Sequence, residues 1–426
     1  MERGRYVAPY RSEKTCAAFK AEVTKYVTTF SPPTAKPGDN ICVEFPRIQD
    51  ELVTPGSLAL TFDLVIDLVD PLDPGAEVEN YPVNNLAANI ISEFKVKIGS
   101  QYVFELNYAH LYNTYKDLWM TGKERENAIE QGIQVLNLRK QRSDPNTKIS
   151  SGATALTDAY FKNMLGRRYK LPINFEVITD HMPLSNWLLV QPLTFEIKVN
   201  KKEYVLNYTT EETANFMMKN ICLEYEAIRC PQLYAEVERE LISGCQFLFD
   251  HVHHYKREEI NKEATLLNVE ISGIDRKSLK GVLLIFQAEF EAGKRNSEAF
   301  VNPAIKNIAL TIDGKPNKHY SCGYREWDQW GEISKHFLRE ELKQSMYSHM
   351  DIEKYHGHDK FALWIDFRST EDNTLHGSGK AHEGKNKIHM EVTKNKHDAG
   401  KYIMHIYIVS DARITIKEKK LFGFEV

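Results

Sequence analysis

No two of the six cysteines, Cys16, Cys42, Cys222, Cys230, Cys245 and Cys322, stand in a CxxC pair. Scattered over 426 residues, they read as free thiols in a reducing compartment. Long apolar runs are missing too. None approaches the ~18 residues that a membrane-spanning helix needs, and the opening MERGRYVAPYRSEKTC has no apolar stretch of signal-peptide type. The sequon Asn207-Tyr208-Thr209 is therefore expected to stay unglycosylated. Nor is there an excess of either charge. The net charge is -4, and residues 1–230 carry 26 basic and 29 acidic groups against 29 and 30 in the remainder. Extensive phosphate neutralisation needs a basic excess, so specific, direct nucleic-acid binding is not expected.

What the chain does have is length and rings. It is too long for one ordinary domain, and two of about 200 residues are the natural division. Hydrophobic residues make up 42% and charged residues 27%, a globular composition. The 21 Tyr and 20 Phe favour strands.

Order emerges as a repeat. FKVKIGSQYV from Phe94 alternates Phe94, Val96 and Ile98 with charged residues and then turns at Gly99-Ser100. IALTIDGKPN from Ile308 alternates Ile308, Leu310 and Ile312 with Ala309 and Thr311 and turns at Asp313-Gly314. The offset is 214 residues. Helical aromatic faces follow each, Tyr108, Tyr112, Tyr115 in the first and Trp327, Trp330, Phe337 in the second, at an offset of 215 for Tyr112 to Trp327 and for Tyr115 to Trp330. LTFEIKVNKK from Leu193 matches IHMEVTKNKH from Ile388 at an offset of 195, shortened by a longer insertion in the first copy. PGSLALTFDLVI near Pro55 matches LKGVLLIFQAEF near Leu279. Three ordered matches argue for a duplicated β-fold.

The expected architecture is all-β: two tandem eight-stranded jelly-roll sandwiches with short helices in the inter-strand loops. Residues 1–28 are expected to form an N-terminal arm, with helical character in SEKTCAAFKAEVTKYV. The first jelly roll covers 29–230 with an insertion near 121–170, a linker with a short helix covers 231–245, and the second jelly roll covers 246–426. Along Leu58 to Leu68 the alternation turns Thr61, Asp63 and Asp67 outward, so one sheet face is expected to be buried and the other wetter.

At this point the chain resembles the double jelly-roll major capsid proteins of eukaryotic double-stranded DNA viruses, the polinton, adintovirus and virophage group first and the nucleocytoplasmic large DNA viruses more distantly. VNNLAANIISEFKVKIGSQYV (83–103), HMPLSNWLLVQPLTFEIKVN (181–200), IDFRSTEDNTLHGSGKAHEGKNKIHMEV (365–392) and IYIVSDARITIKEKKLFGFEV (406–426) carry the resemblance, in the family's order. It implies a homotrimer whose six jelly rolls approximate a hexagon, contacts with neighbouring trimers, penton and minor capsid proteins as partners, and a place in the virion capsid after assembly in host cytoplasm or nucleus. It supplies no catalytic, cofactor-binding or metal residues, and none is expected.

Other stretches suggest rival chemistries. His251, His253 and Glu258 give HxHxxxxE, part of a cupin metal motif that a 2-His-1-carboxylate iron site could use. The flanking glycines are misplaced, and the histidines are expected to be polar strand residues on the surface. His376-Gly377-Ser378-Gly379 suggests a phosphate cradle but lacks the Lys-Ser/Thr and helix that one needs. Asp63, Asp67, Asp70 and Asp73 lack the spacing of a calcium loop. The aromatic stripes could bind bases or sugars, as a bi-lobed lectin would, but are expected to dock each helix on its own sandwich.

Overall fold

The computed structural model describes residues 22–29, 34–45, 51–66, 81–133, 168–173, 175–177, 189–208, 215–261, 263–317, 326–338, 350–357, 359–369, 377–396 and 401–426. The strands of the first half are β1 (Glu22–Thr29), β2 (Asn40–Glu44), β3 (Glu51–Val53), β4 (Ala59–Ile66), β5 (Tyr81–Pro82), β6 (Ile91–Ile98), β7 (Gln101–Asn107), β8 (Arg168–Pro172), β9 (Leu193–Val199), β10 (Leu206–Asn207) and β11 (Phe216–Arg229). Those of the second are β12 (Cys245–Ile260), β13 (Leu266–Ile271), β14 (Arg276–Ala288), β15 (Ile305–Ile312), β16 (Lys315–Pro316), β17 (Ala362–Asp366), β18 (Lys380–His382), β19 (Ile388–Lys394), β20 (Tyr402–Lys417) and β21 (Lys420–Glu425). Three helices matter below: α1 (Ala109–Asp117), α2 (Pro231–Ser243) and α3 (Glu326–Phe337).

The two halves repeat each other strand for strand. In the first, one sheet runs β1-β11-β4-β8 and the other β2-β9-β6-β7. In the second, the orders are β12-β20-β14-β17 and β13-β19-β15-β16. Substituting the nth strand of one half for the nth of the other reproduces both sheets, once the small accessory strands β3, β5, β10, β18 and β21 are set aside. The fold is a double jelly roll. Both turns use positive φ, but differently: Gly99 alone (φ 60) after β6, and both Asp313 (φ 53) and Gly314 (φ 72) after β15. The Asp-Gly pair has positive φ at both central residues, the backbone twist a two-residue hairpin needs.

The predicted inward residues are inward. Phe62, Leu64, Phe94, Val96, Phe195, Ile197, Leu310 and Ile312 are all buried, and Trp330 is partly buried against the same core. Phe45 of one sheet meets Tyr225 of the facing sheet with centroids 6.3 Å apart. The junction is a helix as expected, α2 starting at Pro231 and closed by Gly244 at φ 116, a conformation glycine tolerates.

Three expectations need correcting. The sequence predicts a helical arm over residues 22–27, but β1 pairs with β11 along its whole length, from Glu22 opposite Arg229 to Thr29 opposite Cys222. The β-branched run in EVTKYVTT explains why. The sheet therefore begins before residue 29, and the rest of the arm lies outside the described residues. The insertion near 121–170 is not a plain loop at its ends. Thr121 caps a helix at Gly122–Asn127 through a capping box with Glu124, and Arg168 opens a core strand. Finally, the wetter outer face is not general. Most residues of β14 and β20 are buried, and on β20 the first jelly roll supplies part of the cover. Tyr112 of α1 packs on Tyr407 of β20 at 5.6 Å.

Candidate functional site: the seam between the jelly rolls

The aromatic helix faces meet each other. Trp119, just after α1, stacks on Trp330 of α3 at 5.4 Å and 24°, and on Phe337 at 5.7 Å and 14°. Tyr115 meets Phe337 edge-on at 5.4 Å, and Tyr112 meets it at 6.3 Å. The stripes thus join the two halves rather than docking each helix on its own sandwich alone, and Tyr112 and Tyr115 are too buried to offer a base or sugar a face. The side chain of Trp327 lies outside the described residues.

Polar contacts continue the seam. Arg125 and Glu298 form an ion pair at 2.6 Å, each side chain 10% exposed. Arg295 donates to Asn89 Oδ1 at 2.8 Å and to the Tyr204 carbonyl at 2.6 Å. Ser297 Oγ donates to the Asn84 carbonyl at 2.7 Å, and the Tyr407 hydroxyl donates to the Tyr108 carbonyl at 3.0 Å. At Gly293 a Cβ would fall 2.2 Å from the Tyr208 carbonyl oxygen, so the halves approach there at backbone distance.

Histidines are packed into this seam. His254 Nε2 lies 3.2 Å from His405 Nδ1, with the Tyr108 ring 4.6 Å and 4.9 Å from the two imidazoles. His110 on α1 sits against Tyr204 at 4.9 Å. Burial lowers His254 to about 4 and His405 to about 3, and holds His110 well below the usual histidine range, so all three are neutral near pH 7.

Among the rival sites, His251 departs from its expected surface setting. His251 is buried among Phe104, Phe249 and Phe424, and burial lowers it to about 3. It is not a surface residue. A bulge between His254 and Lys256 interrupts the alternation, and Glu258 pairs with Lys256 at 3.0 Å. Among the described residues no group of three or more His, Cys, Asp or Glu is placed to hold a metal ion. Asp63 binds Arg168 at 3.4 Å and Asn220 at 2.6 Å; Asp67, Asp70 and Asp73 lie outside the described residues. The glycine loop is already occupied by an anion of its own chain: Gly377 N–H donates to Asp411 Oδ2 at 2.8 Å and Gly379 N–H to Ser278 Oγ at 3.0 Å. His376 lies outside the described residues.

Sequence reading missed Arg125, Glu298, Arg295, His110, His405 and the buried Lys280. Their partners are far apart in sequence, and no local spacing signals them. For Lys280 a weak sign existed, a lysine within the apolar run LKGVLLIF.

No protein-family model matches the chain, and no curated protein does. Solved structures match from end to end. PBCV-1 VP54, a crystal structure fitted into a cryo-EM reconstruction of the virophage Sputnik, is 10% identical over 96% of this chain and 97% of that one, with a TM-score of 0.60. The Faustovirus major capsid protein is 8% identical over 94% and 91%, with a TM-score of 0.57. The mavirus major capsid protein is 10% identical over 95% and 90%, with a TM-score of 0.53. At these identities the likeness is one of fold, and it takes in both jelly rolls.

Proposed function

We propose that the chain is the major capsid protein of a double-stranded DNA virus, a structural subunit without catalysis of its own. The observation that carries this reading is the end-to-end likeness to capsid subunits of a chain whose two halves repeat each other strand for strand. The first jelly roll runs from Glu22 to Arg229, α2 is the junction, and the second starts at Cys245. Three copies place six similar units around a three-fold axis, which gives a nearly six-fold outline able to tile a flat facet. Partners are then the chain itself, neighbouring trimers, and penton and minor capsid proteins; its place is the virion capsid, assembled in host cytoplasm or nucleus. No described helix is long and apolar enough to cross a membrane.

Light scattering on purified protein tests this: the expected mass is three times the 49.2 kDa of one chain. A monomer at all concentrations overturns the trimeric capsomer. The segment before Glu22 is assigned to contacts between capsomers, so deleting residues 1–21 is expected to spare the trimer and impair shell assembly. The deletion must stop there, because residues from Glu22 onward belong to β1.

A further inference from the structure

The sheet β12-β20-β14 contains a buried lysine. Lys280 lies on β14 with its side chain 2% exposed. Its Nζ is 2.5 Å from Asp250 Oδ1 on β12 and 3.0 Å from Asp411 Oδ1 on β20, the strand between them. The pairing of β14 with β20 slips between Leu279 and Gly281, at Lys280 itself. Asp411 is 6% exposed, and its second oxygen is held separately. Oδ2 accepts hydrogen bonds from Ser278 Oγ at 2.5 Å and from the Gly377 N–H at 2.8 Å. Glycine at 379 is required for this loop to close: a Cβ there would lie 2.5 Å from the Leu279 carbonyl oxygen.

One carboxylate thus offers its first oxygen to a buried amine while two donors hold its second. That is the layout of an acyl-transfer site, in which fixed donors stabilise the oxyanion of a tetrahedral intermediate. Burial opposes the Lys280 ammonium, but the charges of Asp250 and Asp411 outweigh it and hold the group above the usual lysine range, so the ion pair must be discharged before the amine can attack. An amide in the same place carries no charge.

We propose that Lys280 and Asp411 condense into an isopeptide bond that ties β14 to β20. The atoms balance without a further reactant. Lys280 begins as an ammonium and Asp411 as a carboxylate. Asp250, in contact with Nζ, takes one proton from the ammonium and passes it to Asp411 Oδ1, so that a neutral amine faces a neutral carboxylic acid. The amine attacks Cγ, and charge gathers on Oδ2, held by Ser278 Oγ–H and Gly377 N–H. Asp250 then carries a second proton from the nitrogen to Oδ1. The Cγ–Oδ1 bond breaks, Oδ1 leaves as water, and the Cγ–Nζ bond remains with one hydrogen on nitrogen. Asp250 ends as the carboxylate it was, and it is the most exposed of the three side chains, 26%, which gives the water a way out.

Intact-mass spectrometry of the full chain under denaturing conditions tests this. The expected result is a mass about 18 Da below that of the sequence, with a proteolytic fragment joining the peptides of Lys280 and Asp411. Lys280→Arg and Asp250→Asn are each expected to restore the full mass, and circular dichroism with light scattering reports whether each variant still folds. Folded wild-type protein at its full mass, with Lys280 recovered in an unjoined peptide, overturns the proposal whether or not the variants fold. Loss of water that persists in Lys280→Arg also overturns it, because the bond would then lie elsewhere.

Discussion

Phe195 on β9 is fully buried, its ring 6.3 Å from that of Phe94 and within 9° of parallel. Strict alternation in LTFEIKV made this residue legible, since one face of β9 is core and the other is not. Phe195→Ala is expected to cost about 3–5 kcal/mol, the usual range for emptying a close-packed aromatic site. The midpoint of urea unfolding measures it, and an unchanged midpoint would mean the site collapses around the gap. The same alternation misplaced the histidines of HVHH. Period-two reasoning assigns residues to a core face and a wet face, but β12 is partly covered on its second side by β7 of the other jelly roll. His251 against Phe104 of β7 shows the consequence. A residue pattern records which side faces inward within one sandwich. It carries no mark of a second sandwich laid over the outside.

At the scale of elements, α1, β12 and β20 meet through neutral histidines, and this gives the fold a pH dependence of known sign. The folded-state values of His254, about 4, and His405, about 3, lie below the unfolded value of about 6.5. His110 is lowered in the same direction. In that window the unfolded chain binds more protons, so stability is full above about pH 6.5 and falls as pH drops toward 4, by at most about 1.4 kcal/mol per pH unit per histidine. The charges facing the cluster reinforce this: Arg295 and the other histidines beside His110, His253 beside His254, Arg257 beside His405. Asp117 opposes it, since burial raises its carboxyl to about 6 and protonation relieves that penalty. Urea unfolding from pH 7.5 to 4.5 is expected to show declining stability, and the double variant His254→Gln, His405→Gln a shallower decline. A parallel decline in both proteins would assign the acid sensitivity to other groups. None of this was visible in sequence, because His110, His254 and His405 come from three separate elements and share no spacing.

For the whole molecule, the duplication was the legible part. Strand pattern, turn chemistry and aromatic helix faces recur in order, and local sequence records them because each is a local device. The seam was illegible for the opposite reason. Arg125 and Glu298 are 173 residues apart and follow no period. Arg125→Met is expected to destabilise by about 3–5 kcal/mol, because it removes the guanidinium paired with a buried carboxylate, whereas Arg125→Met combined with Glu298→Leu recovers most of the loss. Calorimetric unfolding of the three proteins checks this, and equal losses in the single and double variants would assign the cost to packing.

Each half contributes eight strands to its two main sheets, and eight is even. A chain that crosses a layer an even number of times finishes on the side from which it set out. Glu22 lies beside Arg229 at the start of α2, and the Lys419 N–H reaches the Leu241 carbonyl at the end of that helix. The beginning of the first strand, the junction and the finish of β20 therefore share one pole. The ends of β4 and β14, and the starts of β8 and β17, lie at the other, because all these strands pair antiparallel to their neighbours. In any layer of like-oriented copies, a peptide fused at the first pole and one inserted between β7 and β8 would be displayed on opposite surfaces, an orientation set by strand parity alone.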